Sequence, residues 1–325
     1  MMAVCRILGS VAALAFSVLL ADSASAQSYP NRQVRLIVPF GAGGPTDVIA
    51  RVVAQRLSEA WGQQVITENI PGAGGNTGVA MVAKAPADGY TILVVSTGFM
   101  VNPSMYSKIP YDPVKDFAPV TLVAASPNVI SAHPSLPAKT LKELIELIKA
   151  NPGKYSFAQP STGSTPHLAG ELFKQEYKLD LVTVPFNSAA LAVNSTIGGH
   201  TPIAFTALPP AMTNIKEGKL RGLAVLSVRR AAALPEVPTN AEAGVPDLES
   251  DTLTGIVAPA DTPKDVIERW RDEIAKAVAA PDVKERLQAL GFAPVANTPE
   301  EFGARIKAEI AKWSKVVHDA NIRAD

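Results

Sequence analysis

The chain has 325 residues, with 30 basic and 30 acidic side chains and a single cysteine. The charges are dispersed and cancel, which excludes the basic surface that nucleic acid or an anionic membrane would need as a partner. A lone thiol also excludes an internal disulfide or a cluster of thiolate metal ligands.

The first 26 residues have the pattern of an export signal. Arg6 supplies a positive start, residues 7–21 are almost entirely apolar, and Ala24-Ser25-Ala26 is a typical cleavage site. The apolar run is shorter than the roughly 20 residues that a spanning helix needs. We therefore expect a cleaved signal peptide (1–26), a mature chain that begins at Gln27, and a periplasmic location.

In the next segment, short β-branched runs alternate with helical patterns, as in α/β proteins. Residues 34–39 predict a strand, a glycine turn follows, and the apolar spacing from 48 to 57 predicts a helix that ends at Gly62. Residues 65–68 and 91–96 predict further strands. Thr140 and Glu143 predict a capping box at the start of another helix.

The same order of strand, loop and helix returns in the second half of the chain. Residues 155–158 predict a strand, residues 159–165 a polar turn, and Pro166 the first position of a helix. Strands are predicted near 182–184, 203–206 and 223–225. Two amphipathic helices close the chain, and we expect Trp270 and Trp313 on their apolar faces to be packing residues.

Two loops have the composition of an anion site. We define the first loop as residues 40–46 and the second loop as residues 161–164. Glycines after a strand let backbone amides approach a ligand, and the following helix directs unpaired N–H groups and its positive dipole end at the same point. A simple connecting turn remains the alternative for each loop. Neither loop has a nucleotide-binding fingerprint.

Enzyme motifs are missing from the sequence: it has no Gly-x-Ser-x-Gly elbow and no His-Glu-x-x-His helix. His167 could contact a ligand, bond the second loop or cap a strand end. Ser161 or Ser164 with His167 leaves a hydrolase as a weak alternative. Asp47, in the first turn of its helix, suits the helix dipole whether its role is structural or functional.

Seven short motifs occur in a fixed order over nearly the whole mature chain. They are PFGAGGPTD at 39–47, ENIPGAGG at 68–75, DGYT at 88–91, STG at 161–163, HLAGELF at 167–173, AP at 258–259 and TP at 262–263. Together they resemble the Bug-type, or TctC-like, receptors of tripartite tricarboxylate transporters.

The resemblance implies a two-lobed α/β periplasmic binding protein, class II-like, in which each lobe is a mainly parallel sheet flanked by helices. We expect residues 27–132 and 253–325 to form lobe 1, and residues 133–252 to form lobe 2. Between them a small carboxylate would bind and then pass to membrane permease subunits. The resemblance implies no cofactor, no metal and no enzymatic activity, and we expect a monomer. The ligand-binding residues that the resemblance implies are Phe40, Gly43, Gly44, Thr46, Ser161, Thr162, Gly163 and His167, and we add Asp47, Phe186 and Asn187 as further ligand-binding candidates.

The chain departs from the family pattern at three places near the expected cleft. It has Phe186-Asn187-Ser188 where many relatives have Tyr-Lys-Gly, Thr252-Leu253-Thr254 where an aromatic residue is usual, and Thr206-Ala207-Leu208 without the frequent Asp or Asn. These changes predict a less charged pocket that prefers a monocarboxylate or an aromatic acid to citrate. A ligand sensor for a membrane histidine kinase is the alternative function.

Overall fold

The computed structural model describes residues 29–324, so the predicted signal peptide lies outside the described residues. The strands are β1 (Val34–Val38), β2 (Val65–Asn69), β3 (Thr91–Ser96), β4 (Phe117–Ala132), β5 (Ser156–Pro160), β6 (Val182–Phe186), β7 (Ile203–Ala207), β8 (Arg221–Val225), β9 (Asp251–Pro259) and β10 (Ala293–Pro294). The helices are α1 (Pro45–Trp61), α2 (Asn76–Ala83), α3 (Gly98–Met105), α4 (Leu141–Lys149), α5 (Thr165–Tyr177), α6 (Ala189–Ile197), α7 (Leu208–Lys216), α8 (Lys264–Ala279), α9 (Pro281–Ala289) and α10 (Pro299–Asp319).

The strands form two sheets that share β4. In the first sheet the order is β2-β1-β3-β9-β4, with β10 also paired to β4; in the second, β4 pairs with β7 and β8, and the order continues through β7 to β5 and β6. This arrangement confirms the predicted α/β fold. Each sheet is mixed, because β9 runs antiparallel to β3 and β4 runs antiparallel to β7, β8, β9 and β10. Among the named strands of residues 29–324, the parallel pairs are β1–β2, β1–β3, β5–β6 and β5–β7.

Local sequence signals set most helix ends. Helix α1 begins with Pro45, whose fixed φ suits a first turn, and ends at Gly62 with φ 63°, where the Gly62 N–H donates to the Ser58 carbonyl. The predicted capping box of α4 forms only in part. Thr140 accepts from the Glu143 N–H, but the Glu143 carboxylate accepts from the Lys139 N–H, one residue before the cap.

The capping box that does form in full is at the start of α10, between Thr298 and Glu301. Pro166, predicted at the first position of its helix, follows Thr165, because Ser164 is the N-cap residue of α5. The start of α5 therefore differs from the prediction by one residue, and the cap of α4 differs from it by one hydrogen bond. These differences leave the helices where the sequence placed them.

The cores lie between each sheet and its helices. Trp270 of α8 is fully buried in the core against β1 and β3, and Trp313 of α10 is fully buried in the core of the second sheet, so both are packing residues as predicted. Helix α10 contributes to two cores. Its Phe302 and Ile306 pack in a core of the first sheet, whereas Trp313 packs with the side chains of α5.

A charged cluster links α10 to the start of β9. The Arg305 guanidinium lies 3.1 Å from Glu249, 2.7 Å from Glu309 and 3.8 Å from Asp251. Burial raises the pKa of Asp251 to about 7, although Arg305 opposes the shift. None of the helices in residues 29–324 has the length and apolar character needed to span a membrane.

Candidate functional site

The first loop follows β1 and is held in shape by Asp47. The Asp47 carboxylate is almost fully buried and accepts from the Gly43 N–H at 2.8 Å, from Arg51 Nε at 2.9 Å and from Asn69 Nδ2 at 2.8 Å. Asn69 Nδ2 also donates to the Phe40 carbonyl at 3.0 Å. Burial alone would raise the pKa of Asp47, but these hydrogen bonds hold it below its ordinary value.

The second loop follows β5 and is held by His167 in the same way. The Gly163 N–H donates to His167 Nδ1 at 2.9 Å, and the Ser161 N–H donates to the Phe186 carbonyl at 2.8 Å. Ser164 caps α5 by accepting from the His167 N–H at 3.4 Å. The other ring nitrogen, Nε2, lies 3.8 Å from Glu171 Oε1.

The two loops therefore share one design. In each, a glycine with positive φ donates its N–H to the side chain four residues later, Gly43 to Asp47 and Gly163 to His167. In each loop the next residue, Gly44 or Ser164, is the N-cap of a helix. The first N–H groups of a helix have no partner inside it. Pro45 and Pro166 lack an N–H and the His167 N–H donates to Ser164, which leaves the N–H groups of Thr46 and Thr165 at the positive ends of the two helix dipoles.

Met105, at the end of α3, brings the two halves of the chain together. Its side chain lies directly over Gly163: a Cβ placed on Gly163 would be 2.2 Å from Met105 Sδ. The neighbouring Asn102 donates to the Gly74 carbonyl at 3.1 Å, and Gly75 lies against the Phe40 ring. A chain of contacts thus runs from the first loop, through the glycine turn at 72–75 and α3, to the second loop.

Two threonines make a second connection between the halves. Thr165, in the first turn of α5, hydrogen-bonds to Thr252 of β9 at 2.8 Å between the hydroxyl oxygens. Thr252 also donates to Asn128 Oδ1 at 3.4 Å, and Asn128 Nδ2 donates to the Ser250 hydroxyl at 2.7 Å. These groups form a polar floor where β4 and β9 pass between the loops.

The predicted site residues have different surroundings. Thr162, Ser161 and Asn187 are exposed at the ends of β5 and β6, and Phe40, Gly44 and Thr46 are half-buried around the first loop. The amides of Gly43 and Gly163 and the side chain of Asp47 are engaged inside the loops, so these groups position the loops. Sequence reasoning placed Thr252 near the expected cleft but missed Met105 and the hydrogen bond between Thr165 and Thr252, which depend on contacts between distant segments.

The His167 ring also bears on the hydrolase alternative. Its two nitrogens face Gly163 and Glu171, whereas the Ser164 hydroxyl donates to the Pro160 carbonyl. The ring thus makes no hydrogen bond with Ser164 that would activate the serine as a nucleophile. In this geometry Ser164 and His167 serve as helix cap and loop anchor.

The anchoring role of His167 predicts a pH-dependent stability. Burial lowers the pKa of His167, and only the neutral ring can accept from Gly163. Its contribution is therefore complete above the ordinary pKa of about 6.5 and is lost as the pH falls through the lower folded value. We expect His167→Ala to lower the free energy of unfolding by about 1 kcal/mol at pH 8 and by less at pH 5, as measured by urea unfolding.

His167→Asn is the matched control for that experiment. Its amide oxygen can accept from Gly163 without titrating, as Asp47 does for Gly43 in the first loop. The stability of this variant relative to wild type should improve as the pH is lowered from 8 to 5. A constant difference between wild type and His167→Ala across this range would contradict the anchoring role.

Comparisons with known proteins agree with this geometry. The protein-family model described as tripartite tricarboxylate transporter family receptor matches residues 49–322 of this chain. Protein BugT of Bordetella pertussis is 36% identical over 306 residues, which cover 94% of this chain and 94% of BugT.

Two solved structures are also similar. A Rhodopseudomonas palustris protein solved with adipate has a TM-score of 0.76 at 35% identity and covers 91% of this chain and 99% of its own. MatC from R. palustris, with bound malate, has a TM-score of 0.72 at 30% identity and covers 89% of this chain and 100% of its own.

The fold and these similarities define a solute-binding receptor of the periplasmic binding protein class. More narrowly, the chain belongs to the TctC family of tripartite tricarboxylate transporter receptors, and it is Bug-type. The resemblance seen in the seven sequence motifs is thereby confirmed.

Proposed function

We propose that the protein captures a small organic carboxylate between the first and second loops and delivers it to the permease subunits of a tripartite transporter. The observation that carries this proposal is the pair of matched loops, each ending in a helix N-terminus and joined by the contact of Met105 with Gly163. Similar proteins solved with adipate and malate support the choice of carboxylates.

Helix termini can hold the carboxylate without a dedicated cation. Each terminus contributes roughly 0.3–1 kcal/mol towards an anion, and up to about 2 kcal/mol when partly buried. The cations on the two helices are engaged elsewhere: Arg51 of α1 binds Asp47 and Asn69, and Lys174 of α5 binds Glu171. A site that relies on backbone and hydroxyl donors suits one or two carboxylates better than three, so we propose a monocarboxylate, an aromatic acid or a dicarboxylate in preference to citrate.

Capture would use a hinge at the shared strand. β4 pairs with β9 up to Pro127 and with β7 from Asn128, so one continuous strand carries both halves. We propose that lobe 1 and lobe 2 turn about this point and that the ligand stabilises the closed form, because it contacts both loops only when they meet. The predicted lobe limits, periplasmic location, monomeric state and lack of enzymatic activity belong to this proposal.

The proposed function predicts a ligand-dependent rise in thermal stability. A ligand at 100 times its dissociation constant adds about 2.7 kcal/mol, which moves the unfolding temperature of a chain of this size by roughly 4 °C. We expect such a shift with at least one of benzoate, adipate and malate, and a smaller one with citrate. Calorimetry measures this shift in unfolding temperature. The protein is first unfolded, dialysed and refolded so that it starts free of bound ligand.

The amide analogue of the active acid is the control. It has nearly the same shape but no negative charge, so it should produce little shift if helix termini recognise the carboxylate. Equal shifts with acid and amide would contradict recognition of the charge. A larger shift with citrate than with every other acid would contradict the proposed ligand class.

A further inference from the structure

A second groove between the two halves of the chain lies apart from the two loops. This docking groove, as we name it, has a volume of about 500 Å³. One wall is the segment 227–233 after β8, together with Leu208, and the other is the segment 291–295 around β10. Its floor is formed by Ala125, Pro127 and Asp251 of β4 and β9.

The docking groove and the second loop contact alternate residues of β4 and β9. Successive side chains of a strand point to opposite faces. Asn128 and Thr252 face the second loop, as their hydrogen bonds to each other and to Thr165 show. Pro127 and Asp251, their immediate neighbours, are paired with each other across the two strands and line the groove. The walls 227–233 and 291–295 belong to lobe 2 and lobe 1 of the proposed hinge, so a hinge motion would change the distance between them.

Apolar side chains stand exposed on both walls of the docking groove. Val228 is 71% exposed on one wall and Val295 is 42% exposed on the other. The segment 231–233 adds three alanines beside Val228. Exposed apolar side chains that face one another across a groove are typical of a surface that binds another protein.

The charge of the docking groove is positive. Arg229 makes no ion pair with any residue of 29–324, whereas Arg230 is bound to Glu242 at 2.8 Å and to the Pro235 carbonyl. The only carboxylate in the lining, Asp251, lies beside Arg305 of α10. Arg229 is thus available to a carboxylate on a partner.

We propose that the docking groove receives an extended apolar segment of the transporter's membrane component, with an acidic residue of that segment paired to Arg229. Both walls move with the hinge, so this surface differs between the open and the ligand-closed receptor, and the membrane component can select the loaded form. The inference rests on the proposed transport function and adds to it the surface that recognises the partner.

Replacing residues of the groove walls with glutamate tests this inference. In cells that carry the cognate transporter but lack the chromosomal receptor, we expect Val228→Glu, Arg229→Glu and Val295→Glu each to reduce uptake of radiolabelled adipate, malate or benzoate at least tenfold, using whichever acid the wild type binds. Affinity of the purified variants for that acid should stay within twofold of wild type. An unchanged affinity for the acid shows that each variant is folded and still binds its ligand.

Val182→Glu is the matched control, because Val182 is 48% exposed at the start of β6, away from the groove. It should keep both binding and uptake. Wild-type uptake by the three groove variants, or a loss as large in Val182→Glu, would overturn the docking surface. If the wild type binds none of the acids, the proposed function fails instead; if it binds an acid but supports no uptake, docking to a transporter is overturned.

Discussion

Gly163→Ala is expected to weaken carboxylate binding at least fivefold. An added Cβ would lie 2.2 Å from Met105 Sδ and 2.4 Å from Met105 Cε, so the side chain of α3 and the second loop could no longer meet. Overpacking of this kind costs about 1–3 kcal/mol, or roughly five- to hundredfold in affinity. Met105 is buried in the core of the second sheet, so the clash would displace the second loop, which we propose contacts the ligand.

The positive φ of Gly163, +77°, adds a second effect that must be separated from the first. Alanine in the left-handed region costs about 1–2 kcal/mol, and this strain lowers stability whether or not ligand is bound. Gly218→Ala is the matched control: its φ is +70°, and an added Cβ meets nothing within 4 Å. We expect it to lose stability but to keep its affinity.

Titration calorimetry of a double variant isolates the contact itself. Met105→Ala removes the atoms with which the new methyl group collides, so Gly163→Ala with Met105→Ala should bind more tightly than Gly163→Ala alone. If the single and double variants bind equally weakly, the loss of affinity comes from the loop backbone. In that case Met105 does not set the contact between the halves.

Asp47→Ala should have the largest effect on stability. The substitution removes the acceptor of three hydrogen bonds from a nearly fully buried position, and it leaves the Gly43 N–H and Asn69 Nδ2 without that partner. Losing hydrogen bonds to a charged group and stranding their donors predicts a decrease of about 2–4 kcal/mol in the free energy of unfolding at pH 7. The first loop would also lose its shape, so carboxylate affinity should fall.

Denaturant unfolding and calorimetry measure these two effects, and Asp282→Ala serves as the control. Asp282 is likewise an acidic residue in the first turn of a helix, α9, but it is exposed and bonded only at the surface, to Arg56. We expect it to change stability and affinity little. If Asp47→Ala behaves like Asp282→Ala, the carboxylate does not organise the first loop.

The pH dependence of Asp47 follows from the direction of its pKa. Because the folded value is lowered, the carboxylate stabilises the protein above its ordinary pKa of about 3.9, and the stabilisation is lost as the pH falls through the folded value. The difference between wild type and Asp47→Ala should therefore shrink in strong acid. It should shrink at a lower pH than the difference caused by His167→Ala.

Much of the fold was predictable because its signals are local. The spacing of apolar residues located β3 at 91–96 without error, and the glycine at 62 ended α1 as expected. β4 was not predicted as one strand of 16 residues, since Pro119 and Pro127 within it argue against a strand interior. Bulges near Pro119 and the change of pairing partners after Pro127 accommodate both prolines.

The candidate site was predictable in its loops but not in its contacts. Composition alone indicated that glycines before a helix would expose backbone donors, but it did not show that the Gly43 and Gly163 amides are already bonded to side chains four residues later. α3 has no amphipathic period and contains Pro103. The contact between Met105 and Gly163 joins residues far apart in the chain, and no local pattern carries that information.

The position of α10 has a consequence for how the protein folds. Phe302 and Ile306 pack in a core of the first sheet and Trp313 packs in that of the second, so neither core is complete until α10 is in place. A growing chain would keep apolar surface uncovered in both halves until α10 has been made. Because one helix packs in both cores, we expect the two halves to unfold in a single cooperative step, although in the proposed function they move relative to one another around the ligand.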